Sequence, residues 1–467
     1  MSDLDSGKLT SVDEHGDRLG IIPAEVRGFY RKHRTWTQLV LLVIFLGLPW
    51  TTIQGRQTIL LNIPDREFAL FGMLFKSHDA PLIFFILAFV TLGLAFVTSI
   101  WGRVWCGWAC PQTVFIDAIY RRIELWTEGP YLKRRQLQAS PMTMEKFLKS
   151  GSKWFLFVVV SSLIAHSFMA YFVGAKNLIQ MIQNPPDENL TYFILVSAFT
   201  GLILFDFAWF REQFCVIMCP YGRIQSLLLD QKSLAIVYDV KRGEPRKAPN
   251  VPKEQQGDCV ACNRCVQVCP TGIDIRNGLQ MECIACTACA DACDEIMEKV
   301  KKPKGLIRYD TLDFSKISLF RPRSMIYMAA LIVLAAGLTY AISSREPVHI
   351  AILRGQGLPY SYVKNEQGEE VILNQFKIHI QNQGTADALY RLELPPDLLA
   401  KGVQLTVGEN PLTLRQDESH EWYFFIRVSP LLMQQNSGQL KTRIILEDLK
   451  SSFKTEKELI LVGPKNP

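Results

Sequence analysis

Cysteine is absent from most of this 467-residue sequence, and the absence restricts its chemistry. Residues 1–105 and 294–467 contain none, so all 12 cysteines fall between positions 106 and 293. A small secreted scaffold carries cysteines throughout its folded part, so a disulfide-stapled protein is excluded. Thiols confined to one region indicate metal ligation in a reducing compartment instead.

Charged residues are also scarce, at 21% of the chain against a usual share of about 25%. The net charge of +6 is too small and too dispersed to predict nucleic-acid binding. Apolar residues make up 48%, which excludes a wholly disordered chain. At about 100–200 residues per domain, the length predicts several domains.

Five stretches lack charge for long enough to cross a bilayer, which takes about 20 mostly apolar residues. The predicted spans are 36–55, 80–102, 154–175, 189–205 (continued to 210) and 324–344. Pro49 and nearby polar residues weaken the first span. The alternative is a set of buried helices in a soluble protein, which five such runs disfavour.

Lys and Arg in the short loops predict the orientation of the chain. Basic residues precede the first span and crowd segment 121–153, whereas loop 176–188 holds only Lys176. The start of the chain is therefore expected in the cytoplasm. The predicted domains, in order, are a cytoplasmic tail at 1–35, a four-span membrane domain at 36–210, a cytoplasmic segment at 211–323, a fifth span at 324–344 and an outer domain at 345–467.

The outer domain has the pattern of an all-β fold. Apolar and polar residues alternate at 376–380, 422–428 and 440–446, with turn residues between these runs. A period of two predicts strands, and several such strands predict a β-sandwich with its own core. A domain without cysteine suits the oxidising side of a membrane, because it has no thiol to mispair.

The most specific motif is a cysteine run that occurs twice in the cytoplasmic segment. Both copies have the bacterial ferredoxin spacing, in which the fourth cysteine binds the other cluster. The sequence therefore predicts a dicluster domain at about 250–305 with two [4Fe–4S] clusters. The predicted ligands are Cys259, Cys262, Cys265 and Cys293 for the first cluster, and Cys283, Cys286, Cys289 and Cys269 for the second.

Structural zinc is the alternative for these cysteines, but zinc normally takes two separated Cys-x2-Cys pairs. The second run departs from the ferredoxin pattern, because Asp294 stands where Pro270 stands in the first. That proline shapes a turn and is not a ligand, so the predicted ligand sets are unchanged.

The other four cysteines form two pairs, each at the predicted cytoplasmic end of a span. They are Cys106-x3-Cys110-Pro111 and Cys215-x3-Cys219-Pro220, which suggests an internal repeat. Residues i and i+4 share a helix face, so two facing pairs could offer four thiolates. Soft thiolates favour Cu(I), zinc or iron–sulfur, and Met218 would add a thioether. The alternatives are small buried residues in helix packing and a disulfide formed in a redox cycle.

Two ionisable residues lie within predicted spans. His166 and Asp206 are candidates for a proton or metal relay, because polar groups at that depth are costly. The alternative for each is a satisfied packing contact.

Three segments together resemble one family. Residues 102–111 (GRVWCGWACP), residues 215–222 (CVIMCPYG) and the ferredoxin runs ending in CADACDEIM are similar to the CcoG family, also called FixG or RdxA. The resemblance covers nearly the whole chain. It implies a polytopic α-helical protein of the bacterial inner membrane, with five spans, a cytoplasmic dicluster ferredoxin-like insert and a periplasmic, all-β, immunoglobulin-like C-terminal sandwich.

The resemblance also implies a function. The family is expected to reduce Cu(II) to Cu(I) for the copper site of cbb-type cytochrome oxidase, which would make this chain a cupric reductase with copper as its substrate. The eight ferredoxin cysteines would bind clusters, and the paired cysteines would form a copper or redox site. Expected partners are membrane lipid, oxidase subunits or their copper chaperones, and an unidentified electron donor.

Two other functions fit the same residues. The protein could be a general electron-transfer subunit between a quinol and a partner reductase, since such proteins share the Cys-x3-Cys-Pro pairs. It could also be an assembly scaffold with structural clusters, whose outer domain docks oxidase subunits. The β-domain argues against the first alternative, because a general electron carrier would not need it.

Overall fold

The computed structural model describes residues 20–464, apart from positions 54, 65, 77–78, 250, 317–319, 345, 356, 365–367, 385, 417 and 452. Residues 1–19 of the predicted tail therefore lie outside the described residues. The chain divides into two compact units, Met1–Tyr340 and Ala341–Pro467.

Helices dominate the first unit. In chain order they are α1 (Phe29–Gly47), α2 (Ala80–Trp101), α3 (Pro111–Phe115), α4 (Arg121–Thr127), α5 (Tyr131–Ala139), α6 (Met144–Val173), α7 (Ala175–Gln183), α8 (Leu190–Leu204), α9 (Pro220–Leu228), α10 (Val240–Gly243), α11 (Arg264–Gln267), α12 (Ala288–Lys299) and α13 (Pro322–Ser343). Its strands are β1 (Thr52–Ile53), β2 (Arg56–Gln57), β3 (Ile59–Asn62), β4 (Glu67–Leu70), β5 (Met73–Phe75), β6 (Leu234–Tyr238) and β7 (Ile307–Thr311).

Among the described residues, four helices are long and apolar enough to cross a membrane. They are Pro81–Trp101, Met144–Val173, Leu190–Phe210 and Pro322–Ser343. Each overlaps one of the predicted spans from the second to the fifth. The protein is therefore a membrane protein.

The structure differs from the prediction at the first span, 36–55. Helix α1 covers Phe29–Gly47 and is not among the four long apolar helices. It ends before Pro49, and the chain then turns into the short strands β1 and β2. The helix begins earlier than predicted because Asp291 of the ferredoxin segment caps its first turn and Asp117 pairs with its arginines, as described below.

Helix α1 contacts the ferredoxin segment near its start and α6 near its end. Its first turn contacts Asp291 in the ferredoxin segment. At its other end, the Phe45 carbonyl accepts a hydrogen bond of 2.6 Å from the Tyr171 hydroxyl, close to the end of α6. The span count of five stays a prediction.

The chain follows the same unusual path after α2 and after α8. We call residues 102–111 the first corner and residues 211–220 the second corner. Each begins with a residue of positive φ, Gly102 (φ 61°, ψ −134°) or Arg211 (φ 53°, ψ −126°). Each continues as a π-helical turn, Trp105–Ala109 or Phe214–Met218.

Both corners also end in the same way. The second cysteine of each pair, Cys110 or Cys219, has an extended backbone. The proline after it starts the next helix, where its missing N–H removes no hydrogen bond. The predicted internal repeat thus has a matching backbone. The prediction that each pair lies on one α-helix is wrong, because the backbone N–H of Cys110 reaches the Trp105 carbonyl, five residues back, at 2.8 Å.

The second unit is a β-sandwich. Its elements are β8 (Val348–Arg354), β9 (Ser361–Lys364), β10 (Glu370–Asn382), β11 (Ala388–Glu393), α14 (Pro396–Leu399), β12 (Gln404–Val407), β13 (Leu412–Leu414), β14 (Ser419–Val428), α15 (Pro430–Gln435), β15 (Gln439–Asp448) and β16 (Lys454–Val462). One sheet has the order β12-β14-β10-β8, with β9 also paired to β10, and the other has the order β13-β11-β15-β16.

The predicted alternation along these strands is confirmed. Trp422, Phe424, Ile426 and Val428 are all buried, whereas Tyr423 between them is exposed. Phe376 of β10 pairs with Phe424 of β14, and their rings stack with centroids 5.3 Å apart. Burying one such ring contributes about 1.5–3 kcal/mol, so this domain has a core of its own.

Candidate functional site

The two ferredoxin runs fold into matching loops. Ala261 and Asn263 in the first run have φ of 56° and 55°, and Ala285 and Thr287 in the second have φ of 53° and 62°. Alternation of right-handed and left-handed residues points successive N–H groups to one side and forms an anion-binding concavity, as at many iron–sulfur sites. Left-handed conformation in non-glycine residues costs about 1–3 kcal/mol each and is concentrated at functional sites.

Each predicted group of four cysteines surrounds a cavity of its own. We call Cys259, Cys262, Cys265 and Cys293 set 1, and Cys269, Cys283, Cys286 and Cys289 set 2. Set 1 lines one small cavity. Set 2 lines a second small cavity, and Cys265 lines both, so the two cavities are neighbours. The exchange of the fourth cysteine between runs, which the spacing predicts, matches this arrangement.

The donor set of each cavity suits an iron–sulfur cluster. Four cysteines line each cavity, and the fourth comes from the other run. Structural zinc is instead bound by four ligands at about 2.3 Å or less from a single centre, and its cysteines normally come in separated Cys-x2-Cys pairs. A cubane offers a separate iron to each thiolate, so its ligands stand farther apart. The residues present therefore fit iron–sulfur clusters.

Asp294 has a structural consequence. In the first run Pro270 follows Cys269, and α11 ends before them at Gln267. In the second run α12 continues through Cys293 to Lys299, because Asp294 can remain helical. The Asp294 carboxylate also accepts the Gly305 N–H at 2.8 Å, which holds the chain after the helix.

The two sets differ in their access to solvent. Cys262 of set 1 is exposed, whereas Cys283 and Cys286 of set 2 are each 8% exposed. Burial and the negative charge of neighbouring thiolates raise the pKa of Cys283 to about 12, so an unligated thiol there stays protonated. Set 1 therefore reaches the protein surface, and set 2 is enclosed.

The structure also brings the four paired cysteines together. We call Cys106, Cys110, Cys215 and Cys219 the membrane set. Four cysteines make six pairwise combinations, and in each of them the two sulfurs are close enough for their thiolate charges to repel. Burial, followed by repulsion from Cys110, raises the pKa of Cys106 to about 12. Burial also raises the pKa of Cys215, with repulsion from Cys110 as the next cause.

Hydrogen bonds cross between the two corners and hold them in place. Gln112, just after the first corner, donates to the Asp206 carboxylate at 3.0 Å and to the Arg211 carbonyl at 3.2 Å. Tyr221, just after the second corner, shares a hydrogen bond with Thr98 near the end of α2. Each pair of cysteines is thus tied to the span that precedes the other pair.

The loop of set 2 rests directly on the first corner. A Cβ added to Gly107 would lie 2.6 Å from the Ala285 carbonyl oxygen, so only glycine fits this approach. Arg103 donates to the Cys283 carbonyl at 3.0 Å, and Arg34 donates to the Cys286 carbonyl at 3.2 Å. Cys106 and Cys215 pack in the same apolar cluster as Cys286 and Cys289. Set 2 and the membrane set are therefore neighbours.

A buried ion network supports this contact. Asp117 pairs with Arg34 at 2.9 Å, with Arg121 at 3.4 Å and with Arg31. Burial alone would raise the pKa of Asp117, but the three guanidiniums hold it well below its usual range. The network ties α1 to the segment that follows the first corner.

A second carboxylate anchors the start of α1. Asp291 lies on α12 between two cluster cysteines and accepts the backbone N–H groups of Tyr30 at 3.1 Å and Arg31 at 2.7 Å. These are unpaired donors at a helix N-terminus, so the contact acts as a cap supplied from another element. A Cβ on Gly28 would overlap this carboxylate.

The weaker sequence candidates have local partners. The Nδ1 of His166 lies 2.7 Å from the Ser162 carbonyl within the same helix. Asp206 accepts the Gln112 amide described above, which favours a packing role for it. Met218 is 61% exposed, so its thioether does not join the thiols of the membrane set.

Sequence reasoning missed several residues that shape these sites. They are Arg34, Arg103, Asp117, Gln225 and Asp291, whose partners in the fold lie far away in the chain. The one usable signal was the presence of ionisable residues such as Asp117 and Glu124 in a mostly apolar segment.

Membrane helices, ferredoxin-type cysteine loops and a separate β-sandwich define a membrane-bound iron–sulfur redox protein. Three protein-family models match: a 4Fe-4S binding domain at residues 82–129, a 4Fe-4S dicluster domain at residues 210–312, and the IG-like fold at the C-terminal of FixG at residues 338–464.

Three relatives extend over most of the chain. Protein RdxA of Cereibacter sphaeroides is 33% identical over 81% of this chain and 82% of RdxA. Protein RdxB of the same organism is 30% identical over 97% of this chain and 98% of RdxB. Nitrogen fixation protein FixG of Rhizobium meliloti is 32% identical over 72% of each chain. The chain belongs to the FixG/RdxA family, and the predicted resemblance is confirmed.

Proposed function

We propose that this protein transfers electrons to Cu(II) and so supplies Cu(I) for the copper site of a cbb-type cytochrome oxidase. Each turnover moves one electron to one copper ion, and no bond or proton has to move with it. The observation that carries the proposal is the packing of set 2 on the membrane set, through Gly107, Arg103 and Arg34. The arrangement gives a path from solvent to the membrane surface.

In this proposal, sets 1 and 2 hold the two [4Fe–4S] clusters, whose chemistry when bound is one-electron transfer. Cys262 marks the exposed edge at which an electron donor would approach. The membrane set is the last redox site before copper. The loops 257–305 lie in the cytoplasm, residues 345–467 lie in the periplasm, and oxidase subunits or their copper chaperones receive the product.

The test is rapid mixing of the dithionite-reduced full-length protein with Cu(II) under anaerobic conditions. We expect reoxidation of the protein at least ten times faster than in a variant with Cys283→Ser and Cys286→Ser, because set 2 connects solvent to the membrane set. The appearance of Cu(I) is followed with a Cu(I)-specific chelator.

Equal rates in the two proteins would contradict the proposal. Reduction of the protein by a quinol in the absence of copper, without reoxidation by Cu(II), would identify a general electron-transfer subunit instead. A surface variant, Glu145→Gln, serves as the control, because this exposed carboxylate forms its ion pair with Lys149, one turn along the same helix and away from the cysteine sets.

A further inference from the structure

We propose that the membrane set holds a third iron–sulfur cluster of the [4Fe–4S] type, so that the chain carries three redox groups. This inference deepens the proposed function, on which it rests for the role of the group. It gives the four thiols an occupant that the sequence left open among Cu(I), zinc and iron–sulfur.

The first argument is the match between the two corners. Their positive-φ residues, π-helical turns, extended cysteines and helix-starting prolines occur in the same order. Two equivalent pairs of thiols therefore meet, one from each corner. A cubane presents four equivalent irons, and two matching pairs of thiolates complete its ligand set.

The second argument is the spacing of the thiols. All six pairs in the membrane set interact electrostatically. Cys106 and Cys215, one from each corner, also pack in one apolar cluster. Such a grouping of four thiols suits a polynuclear group, which binds each thiolate at its own metal atom.

The third argument is an unsatisfied amide beside the thiols. Gln225 is completely buried on α9, and its Oε1 is 3.4 Å from the Cys106 sulfur. Its Nε2 has no hydrogen-bond partner among the described residues. Buried polar groups are nearly always paired, so this donor points to an acceptor that a bound group would provide. The sulfurs of an iron–sulfur cluster accept such hydrogen bonds.

The surroundings favour iron–sulfur over copper. The exposed Met218 adds no thioether to the set. Cys106 and Cys215 pack beside Cys286 and Cys289 of set 2, which suits a fixed relay that accepts one electron and passes it on. In that step no bond breaks and no proton is transferred. The family model for a 4Fe-4S binding domain also covers the first corner, at residues 82–129.

The test is an iron and acid-labile sulfide count on full-length protein purified anaerobically. We expect about twelve irons and about twelve sulfides per chain, four for each of three clusters. A variant with Cys106→Ser and Cys215→Ser, which removes one thiol from each corner, should keep about eight. A matched variant with Cys283→Ser and Cys289→Ser should also keep about eight, but with a different set of low-temperature EPR signals.

A wild-type count near eight, with the EPR signals of two clusters at full occupancy, would overturn the proposal even if the corner variant failed to fold. Stoichiometric Cu(I) or zinc bound to purified protein, and lost in the corner variant at unchanged iron content, would overturn it as well. None of these measurements uses copper reduction. Failure of the copper assay would therefore contradict the proposed function and not the third cluster. An iron count near eight would contradict the third cluster and not the proposed function.

Discussion

Two buried arginines place positive charge at the loop of set 2. Arg103 donates to the carbonyls of Met281 and Cys283, and among the described residues it has no carboxylate partner. Arg34 donates to the Cys286 carbonyl while sharing Asp117 with two other guanidiniums. Net charge and burial set the potential of an iron–sulfur cluster, so surplus positive charge should favour the reduced form at set 2.

We therefore expect Arg103→Gln to lower the reduction potential of one cluster by about 60 mV, a tenfold change for a one-electron couple. Arg103→Lys should retain most of the wild-type value, because it keeps the charge. The measurement is an EPR-monitored redox titration of the full-length protein. The control is Arg321→Gln, another buried arginine that donates to a carbonyl, that of Ser99 at 2.9 Å. An equal shift in the control, or no shift at full iron content, would show that the charge of Arg103 is not responsible.

For individual residues, the sequence predicted the cluster cysteines but not the residues that bind the loops carrying them. The cysteine spacing is a local pattern, and a cluster imposes it on a short stretch of chain. Arg34 and Cys286 are separated by 252 positions, and Arg103 and Cys283 by 180. Contacts between residues so far apart produce no periodic pattern in a single sequence, so they cannot be predicted from it.

At the level of helices and turns, the two corners have a backbone conformation that the cysteine motif alone does not predict. The Cys-x3-Cys spacing predicts two thiols on one α-helical face, but the backbone forms a π-helical turn and then extends. Single π-turns within helical segments are frequent at functional sites. The proline of each motif explains the extension, because it disfavours a helical residue before it and starts a new helix after it.

Gly102 is expected to be indispensable to the first corner. Its φ is 61°, and a Cβ would overlap the Leu234 carbonyl oxygen of β6. Gly102→Ala should therefore cost about 1–3 kcal/mol from the backbone conformation, with the steric overlap adding to it. The expected result is a lower thermal midpoint and loss of bound iron.

The matched control is Gly93→Ala in α2, where an added Cβ would meet no atom within 4 Å. Thermal unfolding followed by tryptophan fluorescence, together with iron analysis, compares the two variants. The same thermal midpoint in both would mean that the corner tolerates a side chain and adapts its path.

Helix α1 shows the same limit of local patterns. Hydropathy centred the first span on 36–55, but the helix starts at Phe29. The structural reason is tertiary, since Asp291 caps the start of α1 and Asp117 binds its arginines. These ion pairs and backbone hydrogen bonds stabilise the basic start of the helix.

For the whole molecule, the β-sandwich is a separate compact unit with its own core, at Ala341–Pro467. The redox sites all belong to the other unit. We therefore expect that a change in one unit can abolish electron transfer or partner docking without affecting the other activity. The sandwich would be the part that docks the assembly partners.

We predict that a chain ending at Ser344 still reduces Cu(II) at a rate within about twofold of the full-length protein, while cbb-type oxidase assembly in cells falls at least tenfold. Oxidase assembly is measured as haem–copper oxidase activity in membranes at equal expression of the two chains. A full-length Cys283→Ser, Cys286→Ser variant is the complementary control, since it should lose copper reduction and keep its β-domain. Loss of copper reduction on truncation would show that the sandwich takes part in the redox chemistry.

The sequence by itself determined the iron–sulfur ligand runs, the apolar helices, the β-sandwich and the family, because each is a local pattern of spacing or periodicity. The tertiary structure decided how these parts meet. It joined two distant cysteine pairs into one set and packed the loop of set 2 against Gly107. It also held α1 in place through Asp117, which follows the first corner, and through Asp291 in the ferredoxin segment. The physical reason is that these arrangements depend on contacts between residues about 80 to 260 positions apart, such as Arg31 with Asp117 and with Asp291. The free energy of such contacts arises only when the whole chain packs.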